Sequence, residues 1–169
     1  MTKQEEVLLS DAIKDQYEKN KEYMFKIILE GLEYCSDNLC GYFTETTYTH
    51  TLYKYINQQS NIICTKEYGL PCKFNNVDIP LRYADIIAFK DDVCVIIELK
   101  KTKDYRITEE HINQLNFYKT LYNEQIKINN PYWPKTIHTL GIVVNFENIG
   151  NHPDSLVCDK PCKYSIKYV

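Results

Sequence analysis

The sequence predicts an α/β domain in which helices flank a mixed β-sheet. A long helical pattern opens the chain, and two apolar segments on either side of "KDD" form a strand pair in its middle. A further helical segment and the apolar strand "TIHTLGIVVNF" follow. The chain has 169 residues, of which 44% are hydrophobic, which is enough for one globular domain with its own core.

The first elements are helical. The pattern from Thr2 to about Tyr34 predicts one long helix or two shorter ones, and Thr2 and Glu5 have the spacing of a capping box. The segment "DNLCGY" interrupts this pattern. A second helix is predicted over roughly residues 44–58, before strand-like segments in "NIICTKEYGLPCKF".

The middle strands, "YADIIAF" and "VCVIIELKK", contain charged residues in an apolar setting. Side chains alternate along a strand, so Asp85 shares a face with Ile87, and Glu98 shares a face with Ile96 and Lys100. Both faces are largely apolar, which is typical of central strands that helices cover. An unpaired charge there costs several kcal/mol.

Two explanations for Asp85, Glu98 and Lys100 remain open. The first is a salt bridge between a carboxylate and the lysine where the strands fray into solvent. The second is a metal site, because two carboxylates at one strand end suit Mg²⁺, a hard ion that prefers oxygen ligands and keeps several waters. A lysine on the same face can help activate a water and counter charge on a phosphate, which predicts phosphodiester hydrolysis.

Two helices contain polar residues on stripes that should face the sheet. Glu45 lies on the apolar stripe of the helix near residues 44–58. In the later helix, His111, Gln114 and Tyr118 share the inward stripe with leucines. Each of these residues alone is more often a core polar group with an ordinary hydrogen-bond partner, so the functional interpretation depends on the whole set.

The ordered motifs resemble the GxxExxY branch of the PD-(D/E)XK nuclease superfamily. The resemblance is based on Glu45 and Tyr48, the Asp85 strand, "ELK", "HINQLNFY" and "GIVVNF". The piece "QLNFY" is also similar to the Gln-x-x-x-Tyr element of RecB-type nucleases. Gly41 stands four residues before Glu45, where the family pattern has three.

The resemblance covers residues 41–169 and implies a domain with a restriction-endonuclease-like core. That core is a four-stranded mixed sheet flanked by helices, and residues 1–40 form an N-terminal helical extension within one globular unit. It also implies a divalent-metal-dependent nuclease that uses Mg²⁺ or Mn²⁺, with DNA favoured over RNA as the substrate.

The same resemblance suggests roles for individual residues. Asp85 and Glu98 are expected to bind the metal, and Glu45 to complete or orient its ligand shell. Lys100 would assist the attacking water, and Gln114 would position that lysine or the scissile phosphate.

Substrate contacts are expected from the basic loop "KKTKDYR" and the following helix. The candidates are Lys101, Lys103, Arg106, His111 and Tyr118. For the loop, an ordinary solvated segment is the alternative. For the whole chain, the alternative is a catalytically silent module that binds nucleic acid or a protein. The N-terminal helices would then bind the protein partner or form a homodimer.

Composition limits the remaining possibilities. The net charge of −3 argues against a protein that coats nucleic acid with its whole surface. The N-terminus has no signal-peptide pattern and no apolar run is long enough to span a membrane, so we expect an intracellular protein of the cytoplasm or nucleus.

Seven cysteines in such a chain are expected to be reduced thiols. A zinc or iron–sulfur site at Cys35, Cys40, Cys158 and Cys162 stays open as an alternative, although the spacings fit such sites poorly.

Overall fold

The fold is a mixed five-stranded sheet with helices on both faces. The computed structural model describes residues 1–59, 61–129, 137–150 and 160–169. The elements in chain order are α1 Lys3–Leu39, α2 Glu45–Asn57, β1 Ile63–Phe74, β2 Val77–Lys90, β3 Val93–Thr102, α3 Glu109–Asn129, β4 His138–Glu147 and β5 Tyr164–Tyr168. Neighbouring strands follow the chain order β1-β2-β3-β4-β5.

All neighbouring strands are antiparallel except β3 and β4, which run parallel and are joined through α3. The predicted α/β architecture is therefore confirmed. The observed sheet has five strands, one more than the four-stranded core that the resemblance implied. The closing segment "YSIKY" forms β5 at the edge next to β4.

Helix α1 is a single helix of 37 residues, and its capping box at Thr2 and Glu5 is present. It extends one turn beyond Tyr34, to Leu39, and ends where Cys40 adopts a left-handed conformation with φ of 55°. Its buried residues begin at Asn20, so the first turns project away from the core. No helix in the described ranges is both long and apolar enough to cross a membrane.

The core has two parts, one on each face of the sheet. On the first face, α1 and α2 cover one set of side chains from β2, β3 and β4, including Ile86, Ile97 and Val144. On the second face, α3 covers the alternate set, including Ile87, Ile96 and Val143. The alternation predicted for the two central strands is therefore observed, and β3 is buried from both sides.

The cysteines are not all reduced. Five of the described cysteines are free thiols, and these are Cys35, Cys64, Cys72, Cys94 and Cys162. Cys40 is disulfide-bonded, so the expectation of reduced thiols is wrong for this residue. Sequence spacing could not predict this bond, because disulfide formation depends on which cysteines the fold brings together. Cys158 lies outside the described residues.

Candidate active site

The site lies where β2 and β3 separate. The two strands pair from Lys90 and Val93 to Ile86 and Ile97, and their ladder ends there. Beyond the last pair, the backbone N–H of Asp85 donates to Glu98 Oε1 at 3.2 Å. The backbone N–H of Leu99 donates to Asp85 Oδ2 at 2.8 Å. The two carboxylates thus accept bonds from amide groups that have left the ladder, which fixes them opposite each other.

These carboxylates are buried and close to one lysine. Glu98 is 2% exposed, and Asp85 is half-buried. Lys100 Nζ lies 3.6 Å from Glu98 Oε2, so the salt bridge of the first explanation is present. Burial and the nearby Asp85 raise the pKa of Glu98 to about 8, and burial also raises the pKa of Asp85. One lysine therefore only partly offsets two buried acids, and a cation with a higher charge would offset them further.

Helix α2 brings a third carboxylate to this place. Glu45 is its first residue, and its carboxylate lies beside the backbone N–H of Lys101. Its charge interacts with Lys100 and with Asp85. Burial, together with Asp85, raises the pKa of the Glu45 carboxyl. The structure therefore brings together Glu45, Asp85, Glu98 and Lys100, which come from three separate elements.

Tyr48 fixes the beginning of α2. Its side chain is 1% exposed and packs against the ring of Phe146, with centroids 4.5 Å apart. The Tyr48 hydroxyl accepts a hydrogen bond from the backbone N–H of Gly41 at 2.7 Å. Gly41 has φ of 79°, and a Cβ there would lie 2.9 Å from the carbonyl oxygen of Glu147. Glycine is therefore required at this turn. Because Gly41 binds Tyr48, the turn sets the position of the beginning of α2, where Glu45 lies one helical turn before Tyr48.

The polar residues of helix α3 have hydrogen-bond partners close to them in the chain. Nδ1 of His111 accepts a hydrogen bond from the Thr108 N–H at 3.2 Å. Burial and the positive charge of Lys100 lower the pKa of His111, so this ring lies near the acidic cluster. Gln114 Nε2 donates to the Tyr118 hydroxyl at 2.9 Å, and Tyr118 is buried among the α3 core residues. The observed partner of Gln114 is therefore Tyr118.

The basic residues of the predicted loop lie in two different places. Lys101 is still in β3, its Nζ donates to the carbonyl oxygen of Phe43, and it lies 5.5 Å from the centroid of the Tyr48 ring. Burial lowers the pKa of Lys101. Lys103 and Arg106 are exposed in the following loop. The structure thus groups Lys103 with Arg106 and places Lys101 against the loop before α2.

A buried asparagine anchors this loop. Asn145 on β4 is fully buried, and its Nδ2 donates to the Thr102 hydroxyl at 2.8 Å and to the Arg106 carbonyl oxygen at 2.7 Å. Its Oδ1 accepts a hydrogen bond from the Thr102 N–H at 3.1 Å. Sequence reasoning assigned Asn145 no role. Its signal was a polar residue within the apolar strand "GIVVNF".

Two cavities adjoin Glu45. One of about 540 Å³ is lined by Tyr42, Phe43, Thr44, Glu45, Thr47, Lys101, Asn148 and Gly150. A smaller one of about 60 Å³ is lined by Glu45, Thr46, Thr49, His50, Lys66, Glu67 and Asp85. Sequence reasoning assigned nothing to His50, Lys66 or Glu67. Their approach to Asp85 depends on how α2 packs on β1.

The donor set is suited to a divalent cation. Within the described ranges, no three His, Cys, Asp or Glu side chains already have the geometry of a metal site. Mg²⁺, however, is often bound by one or two carboxylates and completes its shell with water and substrate phosphate. Asp85 Oδ2 and Glu98 Oε1 each accept a backbone amide, and the second oxygen of Glu98, Oε2, lies beside Lys100 Nζ.

Comparison with known proteins gives one match. The family model described as PD-(D/E)XK nuclease superfamily matches residues 22–154, which include β1 to β4 and all the candidate site residues. The match begins within α1, at the part of the helix that packs into the core. No curated protein and no solved structure matches the chain significantly.

Proposed function

The chain belongs to the PD-(D/E)XK nuclease superfamily, and on that premise we propose that it is a nuclease that hydrolyses phosphodiester bonds with a divalent metal ion. DNA is the proposed substrate in preference to RNA. The finer assignment to the GxxExxY branch is supported by the Gly41–Tyr48 hydrogen bond, because this contact links the tyrosine of that motif to a glycine one residue before the motif's glycine position.

The observation that supports this function best is the arrangement of Asp85, Glu98 and Lys100 where the β2–β3 ladder ends. Two acids there cost stability, because burial raises the pKa of both and the charge of Asp85 further raises the pKa of Glu98. A single salt bridge explains the position of Lys100 but not the second acid. A divalent cation held by Asp85 and Glu98 would account for both acids.

Asp85 and Glu98 would hold the ion through the oxygens that do not accept backbone bonds. Glu45 would complete or orient the shell from the N-terminus of α2. Bound Mg²⁺ or Mn²⁺ would supply a Lewis acid for a phosphate oxygen and a water of lowered pKa.

Lys100 would act on the attacking water and on the charge that develops on the phosphate. Its Nζ lies beside Glu98 Oε2, so the ammonium is held next to a proposed metal ligand. Gln114 would position the phosphate or Lys100 from α3, and Tyr118 would support Gln114 through their hydrogen bond.

The rest of the nucleic-acid substrate is proposed to contact His111, Lys103 and Arg106. His111 lies near Lys100, and the other two are exposed on the loop held by Asn145. Lys101 would have an indirect role in binding, because its ammonium ties β3 to the loop before α2.

The direct test is a cleavage assay on labelled single-stranded, double-stranded and branched DNA and on RNA. Each substrate is incubated with Mg²⁺ or Mn²⁺, with EDTA as the control. We expect cleavage of DNA that EDTA abolishes and that Glu98→Gln removes, whereas Glu22→Gln, at an exposed position on α1, cleaves normally. Cleavage that persists in EDTA, or in Glu98→Gln at saturating metal, would contradict the metal assignment.

A silent nuclease-fold module is the second candidate. It is favoured by the exposed apolar side chains on the N-terminal extension of α1, which are Val7, Leu8, Leu9 and Ile13. An extension of this kind suits a protein partner or a second copy of the chain. This candidate predicts nucleic-acid or protein binding without cleavage in either metal.

A further inference from the structure

A lysine–histidine pair adjoins the proposed active site. Lys66 Nζ lies 3.0 Å from His50 Nδ1, and both residues line the small cavity that Glu45 and Asp85 also line. His50 is on α2 and Lys66 is on β1, so the pair forms where this helix crosses the edge strand. The cavity therefore has acidic groups on one side and a cation on another.

The fold holds Lys66 in this direction. In the β1–β2 ladder Lys66 is opposite Ile86, whose side chain packs on the face that α2 covers. Residues opposite each other in a ladder share a face, so Lys66 extends toward α2. There its Nζ lies 5.8 Å from the centroid of the Tyr53 ring, a cation–π contact that further restricts the side chain.

The Lys66–His50 contact leaves hydrogen-bond capacity for an anion. An ammonium has three donors and no acceptor, so His50 Nδ1 must be the acceptor in this contact. The remaining donors of Lys66 are available to an oxyanion at the cavity. A phosphate at the Asp85 and Glu98 site has a neighbouring phosphate along the same strand, and that phosphate needs a cation that the acidic cluster does not supply.

We propose that Lys66, positioned by His50, binds the backbone phosphate next to the scissile phosphate of the nucleic-acid substrate. This inference rests on the proposed nuclease function. It identifies a binding site on the α2 side of the acidic cluster, whereas Lys103 and Arg106 lie in the loop that joins β3 to α3.

The test combines protein and substrate changes. Oligonucleotides of the DNA form that is cleaved, each with one neutral methylphosphonate linkage, are compared for the wild type and for Lys66→Ala. We expect one linkage beside the cut to raise KM about tenfold in the wild type. Lys66→Ala should raise KM for the unmodified substrate by a similar factor, and the neutral linkage should then add almost nothing, because both changes remove the same contact.

Matched variants separate this contact from general effects. The kcat of Lys66→Ala should stay within about threefold of the wild type, because the contact is uniform in ground and transition states. Lys26→Ala, at an exposed lysine on α1, should change neither constant. His50→Asn, which keeps an acceptor near the place of Nδ1, should bind better than His50→Ala. Lys66→Gln serves as a second variant if Lys66→Ala does not fold.

The possible failures are distinguishable. If the wild type cleaves and the effects of Lys66→Ala and of every neutral linkage simply add, the inference is wrong and the nuclease function stands. If nothing is cleaved, binding is measured by fluorescence anisotropy in Ca²⁺ as a function of salt. Lys66→Ala should then reduce the salt slope on duplex DNA by about 0.9. A slope equal to that of Lys26→Ala would overturn the inference.

Discussion

The two ends of the β2–β3 pair have opposite chemistry. At the turn end, Val93, Cys94 and Val95 are at most 1% exposed, and the backbone groups are paired across the ladder. At the other end the ladder stops, and the carboxylates of Asp85 and Glu98 accept the free amides of the opposite strand. One end therefore holds the sheet together, while the other places charged groups within it.

This difference has an energetic meaning. Apolar side chains at the turn end stabilise the fold by burial. At the other end, burial raises the pKa of both acids and Asp85 further raises the pKa of Glu98, which destabilises the metal-free protein at neutral pH. Marginally stable domains retain such a cost where it serves a function. Substitutions at the two ends should therefore separate chemistry from stability.

The largest effect is expected for Glu98→Gln. The substitution keeps the shape and the acceptor for the Asp85 amide but removes a charge that Mg²⁺ needs. We expect cleavage to fall roughly a thousandfold or more, as for the loss of several kcal/mol of transition-state stabilisation. Metal affinity, measured by calorimetry, should fall with it. An unchanged metal affinity would remove Glu98 from the ligand set.

The next largest effect is expected at Lys100, and its neighbour Lys101 should show a much smaller loss of kcat. Lys100→Ala is expected to lower kcat by roughly two to four orders of magnitude, which is the usual effect of removing a catalytic group. Substrate affinity should change little. Lys101→Ala should lower kcat much less, because its ammonium binds the Phe43 carbonyl oxygen on the other face of β3. Both constants are measured at saturating metal. Equal losses in the two variants would mean that Lys100 has no special part in the chemical step.

At the apolar end, Val95→Ala should affect stability alone. Removing two buried methyl groups costs about 2 kcal/mol of unfolding free energy, from lost burial and the cavity left behind. Urea denaturation measures this change, and kcat per folded molecule should be that of the wild type. A large loss of kcat would show that the two ends of the strand pair are coupled.

The smallest effect concerns pH. The pKa of Glu98 is about 8 in the folded protein, above its usual value of 4.5. Between these values the folded state binds more protons than the unfolded chain, so stability is present at low pH and is lost as pH rises. In EDTA, we expect the wild type to lose about 1 kcal/mol of unfolding free energy between pH 5 and pH 6 relative to Glu98→Gln.

Magnesium provides the control for this pH effect. Added Mg²⁺ should restore wild-type stability at pH 8, because a ligand that binds only the folded state stabilises it. Added Mg²⁺ should change the unfolding free energy of Glu98→Gln little. A wild-type stability curve parallel to that of Glu98→Gln over the whole range, with and without Mg²⁺, would contradict a raised pKa at Glu98.

Local patterns predicted much of the fold. The apolar stripe predicted for α2 is observed, because Tyr48, Leu52 and Ile56 are buried, and the alternation in β2 and β3 matches the two core faces. These predictions succeed because helical and strand periods fix which side chains share a face. The family match supports the fold that the ordered motifs suggested, while the catalytic and binding roles remain predictions.

Contacts between distant segments were harder to predict. Sequence reasoning missed the disulfide at Cys40. It also missed that Asn145 anchors the basic loop and that Lys66 pairs with His50. Lys101 was grouped with the loop, although its side chain turns to the opposite face from Lys100. The contacts of Asn145, Lys66 and Lys101 each depend on a partner at least 16 residues away along the chain.

The sequence by itself determined the order of the elements, their buried faces and the set of acidic residues available for a site. These follow from periodicity and residue chemistry, which act over a few neighbouring positions. Only the tertiary structure decided where the β2–β3 ladder stops, and hence that Asp85 and Glu98 accept each other's backbone amides. It also decided that the N-terminus of α2 meets this end of the sheet, because packing against Phe146 and the turn at Gly41 set the position of the helix.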